Sequence, residues 1–181
     1  MSDSQSQFHY SAEKALACAT AVRVGGALYI LSEASGLDED YYGVDAGIQS
    51  GMVAASGRRE LNQGIVRGAI EDCNSLSSRY LQSMDASAFF VAGVEMTRMV
   101  LEFISEVHPG ESLQRIKGKA LEAAGGWPSV IDGQAQSSLL EFEIACQGRA
   151  EDVLAAEGVR ALREAAGADA LGYRRAAQAL R

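Results

Sequence analysis

Proline is nearly absent from this chain: two in 181 residues, Pro109 and Pro128. That excludes collagen-like and proline-rich linker architectures and leaves long stretches free to be helical. Cysteine is scarce and odd in number. Cys18, Cys73 and Cys146 lie 55 and 73 positions apart, which fits neither a disulfide framework nor a CxxC metal knuckle. Each falls in an apolar helical stretch and reads as a small buried hydrophobe. Histidine is limited to His9 and His108. A di-iron bundle needs Glu-x-x-His pairs, but Ser105 stands three residues before His108. His108, beside Pro109 at an expected helix end, reads first as a group facing the last carbonyls. Walker A, GxGxxG, GxSxG and HExxH patterns are all missing, so no cofactor is expected.

Positive charge is also short, with 16 Lys+Arg against 24 Asp+Glu and a net charge of −8. Phosphate affinity comes from many basic contacts, so nucleic acid and anionic membranes are disfavoured as partners. The deficit is uneven. Residues 158–181 carry five basic and two acidic groups, a local excess of +3. Such a tail reads as a solvated helix face, or as a surface that docks on the acidic body, on a partner or on nucleic acid. Residues 1–7, MSDSQSQ, have no basic n-region and no apolar h-region. The expectation is a chain without a Sec signal, in a reducing, cytoplasmic setting.

What is abundant is small. Thirty alanines and 19 glycines make 49 of 181 residues, and the hydrophobic fraction, glycine aside, is 48%. Disorder is excluded at that apolar content, and the length suits one well-buried domain. Helical signals dominate. Ser11 followed by Glu13 opens a run to Ser35, closed by Gly36. Inside it, Val22–Leu31 also permits a hairpin around Gly25-Gly26, but the Ala-rich flanks favour helix. An acidic link, Leu37–Tyr42, then leads into a segment reaching Met84. Its second half carries Leu61, Ile65, Ala69, Cys73, Leu76, Tyr80 and Met84 at helical steps. Its first half shows Gly43, Gly47 and Gly51 at steps of four, a helix-packing stripe that another helix can approach closely.

Asp85 is the expected cap of the most apolar stretch, Ala86 to Val107, read as the central helix of a bundle. Its charges Glu95, Arg98 and Glu102 share a face, so a Glu–Arg–Glu ladder is available there. They are candidate ligand or interface groups, most simply a wet edge or an ion pair across a homodimer. Glu111–Ala124 follows as a helix, then Gly125-Gly126-Trp127-Pro128 as a break, and a further helix over Ser129–Gly148. Residues 150–166 and 168–181 read as a hairpin broken at Gly167. The expectation is an all-α bundle of six or seven helices: a polar segment over 1–10, a core over 11–148, and a C-terminal hairpin over 149–181 packed on that core.

Three motif matches are weak. Ser11-Ala-Glu-Lys14 fits S-x-x-K, but S-D-N and K-T-G are missing, so Ser11 reads as an N-cap. Asp38, Asp40 and Gly43 fit an EF loop, yet Tyr42 and Gln49 occupy ligand positions, and calcium affinity should be poor. A helix-turn-helix starting at Val159 places Leu162, Ala166 and Tyr173 inside, Gly167 at the turn, and Arg174 and Arg175 as recognition residues. Arg163 then occupies a position usually held by a small residue. Trp127, Tyr41 and Tyr42 read as loop aromatics of the kind enriched in protein contacts, with Trp127 equally suited to plug the bundle end.

Three functions follow from this pattern. The first is an acidic helical protein acting through protein–protein contact or self-association, as an adaptor, inhibitor, chaperone or immunity-type module. The second is a ligand-binding bundle or enzyme with a site near Glu95, Arg98 and His108. The third is a DNA-binding regulator using the C-terminal hairpin.

Overall fold

The computed structural model describes residues 3–80, 87–106, 111–127, 130–131, 134–135 and 139–180, with side chains over 12–80, 87–106, 111–127 and 139–180. Among the described residues it is a bundle of seven helices: α1 (Asp3–Ala34), α2 (Asp38–Ala55), α3 (Gln63–Arg79), α4 (Ser87–Ser105), α5 (Leu113–Gly125), α6 (Leu139–Glu157) and α7 (Val159–Gln178). The all-α class and a C-terminal helix pair, expected from the sequence, are what the chain adopts.

Helix α1 is the hub, touching α2, α4, α5, α6 and α7. Its sequence explains that role. Ala15, Ala17, Cys18, Ala19, Ala21, Val24, Ala27, Leu28 and Leu31 are all buried, and a helix apolar on every side must be enclosed. The span Ala12–Ala34 is long and apolar enough to cross a membrane by length and composition, and 83% of its most apolar window is buried inside the bundle. The helix starts at Asp3, so Ser11 is an interior residue and not its N-cap. The chain stays helical through Gly25-Gly26, where the hairpin alternative lay. Gly36 ends it at φ +67°, with Leu37 N–H donating to Ser32 O at 2.8 Å and Gly36 N–H to Glu33 O at 3.2 Å. That is the left-handed glycine closure expected for this position.

The segment taken as an acidic link is the first turn of α2. Asp38, Glu39 and Asp40 sit at its positive end, where carboxylates are favoured by the helix dipole. A helix leaves no EF loop, and Asp40 instead accepts from Arg79 at 2.7 Å and Ser75 at 3.0 Å. The long segment to Met84 is two helices, because Gly57 at φ +71° reverses the chain after α2. Asn62 then caps α3, accepting from Ile65 N–H at 3.2 Å, and Ser112 caps α5 through Arg115 N–H at 3.3 Å. In α3 the buried stripe is Val66, Ala69, Cys73 and Leu76, with Ile65 turned to solvent at 43% exposure. Helix α4 buries thirteen residues. Asp85, Met84 and His108 lie outside the described residues.

Two further helix boundaries differ from the sequence reading. Residues Val130–Ile131 and Gln134–Ala135 form a two-residue antiparallel ladder, so the helix expected from Ser129 begins at Leu139. The hairpin turns at Gly158, φ +84°, and Gly167 lies inside a continuous α7. The expected boundaries at residues 10/11 and 148/149 both fall within helices. A Cβ at Gly167 would meet nothing within 4 Å. Gly167→Ala is therefore expected to stabilise the chain by about 1 kcal/mol through helix propensity. A lower urea midpoint for this variant would restore a turn at Gly167.

All three cysteines are free and buried. Burial pushes the Cys18 and Cys73 thiols up to about 12. In the unfolded chain they ionise near pH 9, so the unfolded state loses these protons first as the pH rises. Stability is then constant below about pH 8 and falls above pH 9 by about 1.4 kcal/mol per pH unit for each thiol. Urea titrations at pH 8 and pH 10.5 should show the lower midpoint at pH 10.5. Equal midpoints would mean that these thiols are not shielded.

Candidate functional site

The residues singled out by sequence scatter over the bundle. On α4, Arg98 reaches Glu102 at 2.5 Å, with the Glu102 side chain 6% exposed. Glu95 does not join them: it is half exposed and pairs with Lys119 of α5 at 2.7 Å. The expected ladder is thus split between two partners. Trp127 packs edge-on against Phe89, centroids 4.7 Å apart. Gly43, Gly47 and Gly51 lie where α2 crosses its neighbours. A Cβ at Gly47 would sit 2.5 Å from Ala69 and 3.0 Å from Leu101, and one at Gly51 would sit 2.8 Å from Cys18. A Cβ at Gly43 would overlap the Asp72 carboxylate. The stripe meets α3, α4 and α1 of the same chain.

Tyr41 and Tyr42 are helical residues of α2, not loop aromatics. Tyr41 is buried, and its hydroxyl donates to Gly25 O at 3.0 Å. Tyr42 is 57% exposed. Arg174 and Arg175 are exposed on α7, but no helix-turn-helix presents them.

One place does collect several of these groups. Helices α2 and α7 both pack on α1 yet barely meet each other. The seam between them is a trough of about 450 Å³, floored by Val22, Gly25 and Gly26. Glycine in the floor is a packing requirement: a Cβ at Gly26 would overlap the backbone carbonyl of Ala170. On one wall stand Tyr29 and Tyr42, centroids 6.0 Å apart and hydroxyls 3.4 Å apart. The Tyr42 hydroxyl, then its charge and that of Glu33, hold the Tyr29 phenol above its ordinary pKa. Arg174 lies 5.6 Å over the Tyr29 ring, in cation–π range. Asp45 and Gln49 complete the polar lining. Such a surface can bind: it offers two rings, one cation, one carboxylate and an amide. Among the described residues no group of three His, Cys, Asp or Glu side chains could hold a metal ion.

A second polar cluster was missed by sequence. Arg23 and Glu143, 1% and 0% exposed, form a bidentate pair: Nη2 to Oε1 at 2.8 Å and Nε to Oε2 at 3.2 Å. Tyr173 donates to Glu143 Oε2 at 2.9 Å, Gln147 to Oε1 at 3.0 Å, and Arg23 to Thr20 Oγ1 at 3.2 Å. Burial draws the Arg23 pKa down, but the hydrogen bonds and charge of Glu143 outweigh it and leave it raised. Burial, then the Glu143 charge, push the Tyr173 hydroxyl well above its ordinary value. Gln147 also donates to Lys117 O at 3.1 Å, so the network ties α1, α5, α6 and α7 together. With both Glu143 carboxylate oxygens engaged by Arg23, Tyr173 and Gln147, this cluster specifies packing. The signal was present: Arg23 is a single charge between Val22 and Val24 in an apolar run.

Comparison of the chain with protein families, with curated proteins and with solved structures gave no match.

Proposed function

We propose that the chain is a protein-interaction module of the adaptor, inhibitor, chaperone or immunity type, and that it docks its partner in the α2–α7 trough. One observation carries this reading: the half-exposed Tyr29–Tyr42 pair with Arg174 over it, lining a trough between two helices. Tyrosine and arginine are the residue types that dominate the energy of protein contacts. Their ring faces and guanidinium lose little entropy on docking, because Tyr29 and Arg174 already rest against each other. Self-association is the same reading with a second copy as partner. The three free cysteines suit a reducing compartment, and the proposed setting is cytoplasmic.

Affinity capture from the native lysate tests it, with the wild-type chain and the Tyr42→Ala/Arg174→Ala double variant as baits. Both residues are exposed, so the variant keeps its fold. The expected result is a protein partner retained by the wild type and depleted about tenfold by the variant. A small metabolite recovered in place of any protein would favour the ligand-binding alternative, since the trough lies within the usual volume range of ligand pockets. A protein partner held equally by both baits would remove the trough from the proposal.

A further inference from the structure

Resting on that reading, we infer that the partner enters the trough as an acidic segment whose carboxylates are held by Arg58, Arg160 and Arg163. These three side chains line a second cavity of about 350 Å³ that shares Gly167 with the trough. Arg163 joins the two physically, donating to Gln49 on the trough wall at 3.0 Å. The elements explain the convergence. Gly57 turns the chain sharply after α2 and delivers Arg58, while Gly158 starts α7 with Arg160 and Arg163 one turn apart on the facing side.

Charge is the decisive feature. The chain as a whole is at −8, yet this cavity gathers three guanidiniums against one carboxylate, Glu164, which already accepts from Arg160 at 3.1 Å. Arg58 makes no hydrogen bond or ion pair among the described residues. A guanidinium has five N–H donors, and Arg160 and Arg163 each use one in these contacts. Like charges brought together repel unless an anion sits between them. The arginine fork is built for carboxylates and takes them two bonds at a time.

Shape selects a segment over a free anion. From Arg160 to Arg174 is fourteen residues of one helix, a seam of about 21 Å at 1.5 Å per residue. The arginines are exposed, Arg160 with 83% of its side chain, so each contact alone is weak. A row of them gains by engaging one continuous partner. The same three arginines also border a small cleft with Met52, Val53 and Val159, which adds an apolar foothold beside the acidic one. The partner segment therefore carries acidic residues next to aliphatic ones, with an anchor for Tyr29 and Tyr42 at the other end. Nucleic acid fits less well. Asp45 on the trough wall would face a continuous phosphate chain.

The test uses the full chain and the Arg58→Ala/Arg160→Ala/Arg163→Ala variant as baits for a displayed random library of peptides about 12 residues long. Selected peptides are then resynthesised and measured by fluorescence anisotropy. Expected are peptides rich in Asp and Glu beside aliphatic residues. Their affinity should fall about tenfold or more in the triple variant, and with salt from roughly 50 to 300 mM. Peptides that depend on Tyr42 but bind the triple variant as well as the wild type would overturn this inference and leave the proposed function standing. No enriched peptide at all would count against both. A single-stranded oligonucleotide that binds the wild type and not the triple variant, where no acidic peptide does, would assign the surface to nucleic acid.

Discussion

Arg23→Ala should lower the free energy of unfolding by about 3–5 kcal/mol, the largest loss expected from a single side chain here. The reason is what remains behind. Glu143 is 0% exposed, and without Arg23 its charge keeps only the Tyr173 hydroxyl at 2.9 Å and the Gln147 amide at 3.0 Å. An unpaired carboxylate at that depth must stay charged without a counter-ion, draw in water or take up a proton, and each choice is unfavourable. The pair itself is a weaker source of stability than that loss suggests, since removing two charges from water offsets much of their attraction. Arg23→Met combined with Glu143→Leu should therefore recover part of the stability, because both charges are replaced by apolar groups of similar reach while the buried Tyr173 hydroxyl loses its acceptor. Urea unfolding of Arg23→Met, of Glu143→Leu and of the double variant gives the coupling energy directly. Additive losses, with the double variant worse than either single one, would show that the two charges do not act as a pair.

Gly26→Ala should lower stability by about 2 kcal/mol. The new Cβ would overlap the Ala170 carbonyl oxygen and lie 2.9 Å from its carbon. That neighbour is backbone and cannot swing aside. Overpacking of this kind costs up to about 3 kcal/mol, and the better helix propensity of alanine returns about 1. Since α7 must move off α1 to admit the methyl group, the trough widens at its floor and Arg174 leaves the Tyr29 ring. A matched control sits at Gly118, inside α5, where a Cβ meets nothing within 4 Å. Gly118→Ala should stabilise by about 1 kcal/mol. Thermal unfolding separates the two outcomes, and a Gly26→Ala chain as stable as the wild type would mean that α7 does not rest on that glycine.

The contrast between Gly26 and Gly118 shows where sequence reasoning stopped. Both are helix-interior glycines, and nothing in the neighbouring letters says which one a second backbone approaches. The same limit placed the hairpin turn at Gly167. Gly148, Gly158 and Gly167 are all candidates by composition, and the turn falls at Gly158 because that choice lays Cys146 and Ala150 of α6 and Leu162, Ala166 and Tyr173 of α7 into the core. Within α3 the stripe was legible at Ala69, Cys73 and Leu76, with Val66 taking the place of Ile65. An apolar face is broad enough to hold both, and the positions of α2 and α4 decide between them. Arg23 was legible as a lone charge in an apolar run but not as a buried one. Its partner lies 120 residues away.

By itself the sequence determined the helical class, the approximate number of helices, the burial of Cys18, Cys73 and Cys146, and the acidic body with a basic C-terminal end. Those properties follow from local propensity, periodicity and charge, which are carried residue by residue. Tertiary structure decided the rest. It made α1 the hub, paired Arg23 with Glu143, left α2 and α7 apart, and drew Arg58 to Arg160 and Arg163. Each of these depends on which faces meet across long separations, and a chain so rich in alanine and glycine offers many nearly equal faces. Packing chose among them because the glycines at the crossings, Gly26 and Gly51 among them, admit a neighbouring helix at only a few registers.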